Sequence, residues 1–304
     1  MKYIIILILV LPLVSATHDL TLTMNDYQNN YQEGIEVERN YIINIPNELK
    51  QKTDLVIFFH GTTNNYQDII SQTDLISLSN EEGFILTFPQ SMGISRQVEE
   101  IFEGDNIVRN FDTCWNTHPN EEINEDMCYG RRRNPDDDKF IDLMIEEVNE
   151  KYNINNIYLM GLSNGCGMAQ HLAMTRDDIK GIAIGGCGIP MWNVKNYLNS
   201  LTLNNRKPFS VFRFHDVDDP ISQYMFLGDE IPEGRTPTGE IAIDIFSQIN
   251  GCGELEISEV NLFRDINVDL WDYKNCKVNF YKIYSNNHIW HTELNQEIWR
   301  FFNE

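Results

Sequence analysis

Positive charge is what this sequence has least of: 23 lysines and arginines stand against 46 aspartates and glutamates, a formal net charge of -23 over 304 residues. Such a balance opposes phosphate backbones and anionic lipid surfaces, so nucleic-acid and membrane partners are not expected. No Cys-x-x-Cys pair or His-x-x-x-His cluster is present, which leaves a metal site without a ligand set. Asn-x-Ser/Thr sequons are also missing, so N-glycosylation is not expected. Without internal repeats, low-complexity tracts or Pro/Gly/Ser linkers, nothing marks a domain boundary. Long apolar runs are missing too, with one exception at the start.

That exception, "YIIILILVLPLV" after Lys2, is followed by the small residues Val14 and Ala16 before "THDL". It reads as a secretory signal peptide over residues 1–16, cut after Ala16, because its apolar core is short for a membrane span. The mature chain, residues 17–304, is then expected to be a secreted monomer with a single α/β domain. Six cysteines are an even number in an exported chain, which favours three disulfides. Order along the chain suggests Cys114 with Cys128 and Cys252 with Cys276, leaving Cys166 with Cys187.

Short runs rich in β-branched and aromatic residues recur: "RNYIINIP", "TDLVIFFHG", "GFILTFPQ", "NNIYLMGLS", "GIAIGGCG", "FSVFRFHD" and "KVNFYKIY". Most are continuously apolar rather than alternating, as strands covered on both faces should be. Between them, segments with helical spacing place Ile69, Ile70, Leu75 and Leu78 on one side, and Phe140, Leu143, Met144 and Val148 on another. Alternating strand and helix predict a mostly parallel central sheet with helices on both faces. Two long polar stretches interrupt the rhythm, one from Ser91 to Asp138 and one reading "DEIPEGRTPTGE".

Within "NIYLMGLSNGCGMAQHLAM" a serine stands between glycines where an apolar run gives way to a helical pattern. Gly161 and Gly165 flank Ser163 in the Gly-x-Ser-x-Gly arrangement of a nucleophile elbow, where side chains two residues away would collide. Serine needs a base to take its proton and an acid to orient that base. In the α/β-hydrolase order both follow the serine, which leaves His171, His215, His288 and His291. His171 lies in the helix behind the elbow, and requiring an acid in between leaves the late pair. His288, in a polar turn, is preferred to His291, near a helix start. The acid belongs at the end of a later strand, where "FSVFRFHDVDDPISQY" supplies Asp216, Asp218 and Asp219, with His215 structural. For the oxyanion hole, backbone N–H groups of Asn164 and Thr62 are expected, with His60 structural.

The motifs "FFHGTTNN", "CWN", "GLSNG", "HDVDDPISQY", "INGC" and "NNHIW" together resemble the polyhydroxybutyrate depolymerase and feruloyl esterase group of secreted α/β-hydrolases, over most of the chain from "YIINIP" onward. The resemblance implies Ser163 as nucleophile, Asn164 as oxyanion donor, Asp219 as acid and His288 as base. It departs at Asp216, where glycine is usual, at Ser222-Gln223, where a Val-Pro pair is usual, and at Cys166, whose place opposite Cys187 supports their pairing. It implies a serine carboxylic ester hydrolase acting on feruloyl or acetyl esters of polysaccharide, or on polyhydroxyalkanoate-type esters, with neither metal nor organic cofactor. A serine peptidase of the same fold and an inactive binding protein are the rival readings. Trp115, beside Cys114, and Trp290, beside the base, are assigned to substrate contact, although burial in the core is the commoner fate of tryptophan.

Overall fold

A computed structural model of the chain describes residues 16–25, 36–91, 93–94, 101–102, 105–106, 112–117, 135–189, 194, 208–232 and 236–304. The signal peptide expected over residues 1–16 lies outside them except for Ala16, as does most of the first long polar stretch, Cys128 included.

Ten strands form one sheet: β1 (Ala16–Asn25), β2 (Glu36–Ile45), β3 (Thr53–Phe59), β4 (Ile85–Pro89), β5 (Ile154–Leu162), β6 (Ile179–Gly185), β7 (Ser210–Asp216), β8 (Leu255–Glu259), β9 (Val268–Tyr273) and β10 (Val278–Ile283). Their spatial order is β1-β2-β4-β3-β5-β6-β7-β10-β9-β8. The central run from β4 to β10 is parallel throughout, and antiparallel pairs close both edges. All seven strands read from the sequence are present. Three more were not read: β1 and β9, and β8, whose residues are all exposed and so carry no apolar run.

Each central strand is apolar at consecutive positions because both faces are covered. Leu55, Ile57 and Phe59 of β3 face one core, and Val56 and Phe58 face the other. On the first side lie α3 (Asp137–Lys151), α4 (Asn164–Thr175) and α5 (Gly239–Ile249), through Phe140, Met144, Met168, Leu172, Ile243 and Phe246. On the second lie α1 (Tyr66–Thr73), α2 (Leu75–Glu82) and α6 (Asn295–Asn303), through Ile69, Leu75, Leu78, Ile298 and Phe302. Asn65 starts α1 with a capping box, and Asp74, at φ 49°, separates α1 from α2. Among the described residues no helix is long and apolar enough to cross a membrane.

The parallel strands end together at His60, Ser163, Gly186, Val217 and Tyr284, along the edge of the sheet where ligand sites form.

Candidate active site

Ser163 follows β5 at φ 57° and ψ −124°, in backbone space that L-residues rarely occupy, and α4 begins at the next residue. Its N–H donates to Gly185 O at 3.0 Å, which fixes the turn against the end of β6. A Cβ on Gly161 would lie 2.3 Å from Gly165 O, and one on Gly165 would lie 2.1 Å from Phe59 O. The elbow therefore closes only because both positions lack a side chain, as the sequence motif implied.

Asp219 and His288 arrive from separate loops and meet. His288 Nδ1 lies 2.7 Å from Asp219 Oδ2, and Asp219 Oδ1 accepts 2.8 Å bonds from the amides of Ile221 and Ser222. Burial alone would push the Asp219 carboxyl up; the bonds from His215, His288 and those two amides outweigh it and hold the group well below the usual carboxylate range. An ionised carboxylate only accepts, so His288 Nδ1 carries the proton and Nε2 presents a lone pair. That Nε2 is buried and has no hydrogen-bond partner among the described residues. The ring stands over Gly186, where a Cβ would lie 2.9 Å from His288 Cε1 and 3.3 Å from Leu162. Gly186 directly follows the residue that receives the Ser163 N–H, so serine and imidazole flank one backbone segment.

The other candidate residues have different surroundings. Asp218 is exposed, whereas Asp219 is 8% exposed and bonded to His288. His291 is buried and pairs with Asp216 at 2.8 Å, and His171 pairs with Asp138 on α3 at 2.9 Å. His215 Nε2 reaches Ser222 O at 2.8 Å and braces the acid loop. His60 bridges Gly61 O and the amide of Ser91, and burial pushes its imidazole down to about 4.

Thr62, after β3, and Asn164, at the start of α4, both border a cleft of about 280 Å³ that also exposes Ser163. The first amides of α4 have no intrahelical acceptor and lie at its positive end. The Asn164 side chain accepts from Trp115 N at 2.6 Å and donates to Trp115 O at 3.3 Å, joining elbow to loop. Thr117, Gly188, Ile221, Ser222, Gln223, Met225, Thr236 and Thr238 complete much of the wall. Thr236 and Thr238 were missed, since "RTPTGE" reads only as a polar loop; its two hydroxyls were the available signal.

Both tryptophans assigned to substrate contact are buried instead. Trp115 is fully enclosed, edge-on to Phe59 at 5.2 Å, with Nε1 donating to His60 O at 3.0 Å. Trp290 packs between Phe58 and Phe214, with Nε1 donating to Asn295 Oδ1 at 2.8 Å. Each has an internal partner for its only polar atom, so neither ring offers a face to the cleft. Cys166 is bonded to Cys187 and Cys252 to Cys276, as the order along the chain suggested. Cys114 is disulfide-bonded too, and Cys128, expected as its partner, lies outside the described residues.

No protein-family model matches the chain, and no curated protein does. Solved structures do. An acetyl xylan esterase from Aspergillus awamori aligns with a TM-score of 0.58 at 13% identity, over 93% of this chain and 99% of that one. An S-formylglutathione hydrolase from Agrobacterium tumefaciens aligns at 0.53 and 7%, over 94% of each chain. A feruloyl esterase module from Clostridium thermocellum, complexed with sinapinate, aligns at 0.52 and 11%, over 94% and 87%. At such identities the likeness is one of fold, and the fold is that of the α/β-hydrolases.

Proposed function

We propose that the protein is a secreted serine hydrolase of carboxylic esters. The observations that carry this reading are the Asp219–His288 bond, with the His288 ring against Gly186, and Ser163 on a strained elbow that borders a cleft. His288 Nε2 takes the Ser163 proton as Oγ attacks the ester carbonyl, and the amides of Asn164 and Thr62 hold the developing oxyanion. His288 then gives its proton to the departing alcohol, and water, deprotonated by the same nitrogen, releases the acyl group. Asp219 keeps the imidazole in the tautomer this requires. The esterase names carried by two of the aligned structures, and the hydrolase name of the third, agree with the reading.

Substrate choice follows from the cleft wall. Hydroxyl and amide residues line it beside glycines, Ile221 and Met225, most of its surface is apolar, and among the described lining residues none is charged or aromatic. A short neutral acyl group fits such a wall better than a feruloyl ring, which the buried tryptophans leave without a stacking partner. Ile221 and Ile289, near the acid and the base in sequence, are exposed, as are Phe226 and Leu227. We therefore favour acetyl esters of polysaccharide or a short-chain hydroxyalkanoate polyester. The two described disulfides suit an oxidising compartment, in keeping with secretion.

The test is release of p-nitrophenol from its acetate and butyrate, beside Ser163→Ala. Turnover that disappears in the variant supports the esterase. Negligible rates in both, with no fluorophosphonate labelling of Ser163, would leave a binding protein on a hydrolase scaffold, and cleavage of a peptide anilide would instead favour a peptidase.

A further inference from the structure

Asp216 has no part in the chemistry assigned to Ser163, yet it is buried and tied to both ends of the loop that carries His288. It ends β7 with 3% of its surface exposed. Its Oδ1 accepts from Ser285 Oγ, where the chain leaves β10. Its Oδ2 lies 2.8 Å from His291 Nε2, where the chain enters its last helical segment. A carboxylate only accepts, so the His291 proton sits on Nε2. Backbone bonds continue the clamp: Asp219 N donates to Asp216 O at 3.3 Å, and Asp218 N donates to Ser285 O at 3.0 Å. Asn287 Nδ2 donates to Ser285 Oγ at 3.3 Å, and the His291 ring is held edge-on by Phe214 and Phe263 at 5.7 and 5.1 Å. One carboxylate thus grips residues 285 and 291 and opens the turn that presents Asp219.

We propose that Asp216 and His291 are positioning residues that set the Asp219–His288 geometry, a role that rests on reading Ser163, Asp219 and His288 as a triad. A hydrogen bond weakens steeply with misalignment, and a displacement of about 1 Å at a reacting group costs roughly a hundredfold in rate. Loosening either end of the loop moves His288 relative to an acid that the amides of Ile221 and Ser222 hold in place.

The experiment compares Asp216→Asn, His291→Gln, their double variant and the milder Ser285→Ala in the full chain. Turnover of p-nitrophenyl acetate is measured beside proton NMR of the His288 Nδ1–H, assigned by its loss in His288→Gln. Each of the first two changes is expected to lower kcat about 10- to 100-fold with KM within about twofold. The double variant should be no worse than the more damaged single, because the residues act as a pair. Ser285→Ala should fall between wild type and Asp216→Asn. In all of them the His288 proton should exchange with water faster than in the wild type. Folded variants with wild-type kcat and unchanged exchange would overturn the proposal, as would losses that multiply in the double variant. Wild-type protein that neither turns over ester nor takes up fluorophosphonate defeats the triad reading instead, and the exchange rate still decides whether Asp216 positions His288.

Discussion

At the scale of single residues, the proposed triad rests on a buried carboxylate that its hydrogen bonds keep ionised. Two amides and the His288 ring donate to Asp219, with His215 Nε2 3.5 Å away, and an asparagine there would keep the shape but lose the charge that fixes the His288 proton on Nδ1. Asp219→Asn is expected to lower kcat about 10³- to 10⁴-fold with KM little changed, read on p-nitrophenyl acetate. Because the native carboxyl lies below its ordinary range, its contribution to stability is complete above about pH 4 and declines as the pH falls further. Thermal midpoints of wild type and Asp219→Asn should therefore converge in stronger acid. His60 acts over a different window. Its imidazole titrates near 4 rather than 6.5, so between those values the unfolded chain takes up a proton that the native state refuses. Stability is full above pH 6.5 and is lost towards pH 4 by at most about 1.4 kcal/mol per unit, a slope that His60→Gln should flatten in a pH series of thermal melts. The sequence identified His60 as structural from its place at a strand end. Its partners Gly61 and Ser91, thirty residues apart, were not legible there.

Among the elements, β5 and α4 meet with almost no clearance, and the glycines between them divide into two kinds. A Cβ on Gly165 collides with the backbone of β3, whereas one on Gly167 meets only the Thr117 methyl at an ordinary 3.4 Å. Gly165→Ala should cost about 3 kcal/mol or more and lower the melting temperature by roughly 5–10 °C. Gly167→Ala, in a helix interior, should leave it unchanged or raise it slightly through helix propensity. Equal effects in the two variants would contradict the packing described for the elbow. This junction was the most legible part of the chain, because the spacing of Gly161, Ser163 and Gly165 is a local consequence of a strand turning into a helix. Edge strand β8 was the least legible: an exposed strand needs no apolar pattern, and only its pairing with β9 defines it.

For the whole molecule, a charge of -23 sets the background in which every local interaction works. Self-repulsion at this charge opposes the compact state, and salt screens it over about 10 Å at 0.1 M. Raising NaCl from about 0.01 M to 0.3 M should lift the melting temperature by about 2–4 °C, the equivalent of roughly 1 kcal/mol; a fall would mean that attractive surface pairs dominate. The sequence by itself determined the covered parallel strands, the helices on both faces and the elbow, since each is written in contiguous residues whose periodicity or spacing has one physical solution. It narrowed the acid and the base to a few residues and no further. The resemblance then favoured Asp219 and His288; only the tertiary structure showed the bond between them, placed both tryptophans in the core, and joined Asp216 to His291. Those outcomes depend on which loop ends the sheet order brings side by side, and pairings across 69 and 75 residues leave no mark on local sequence.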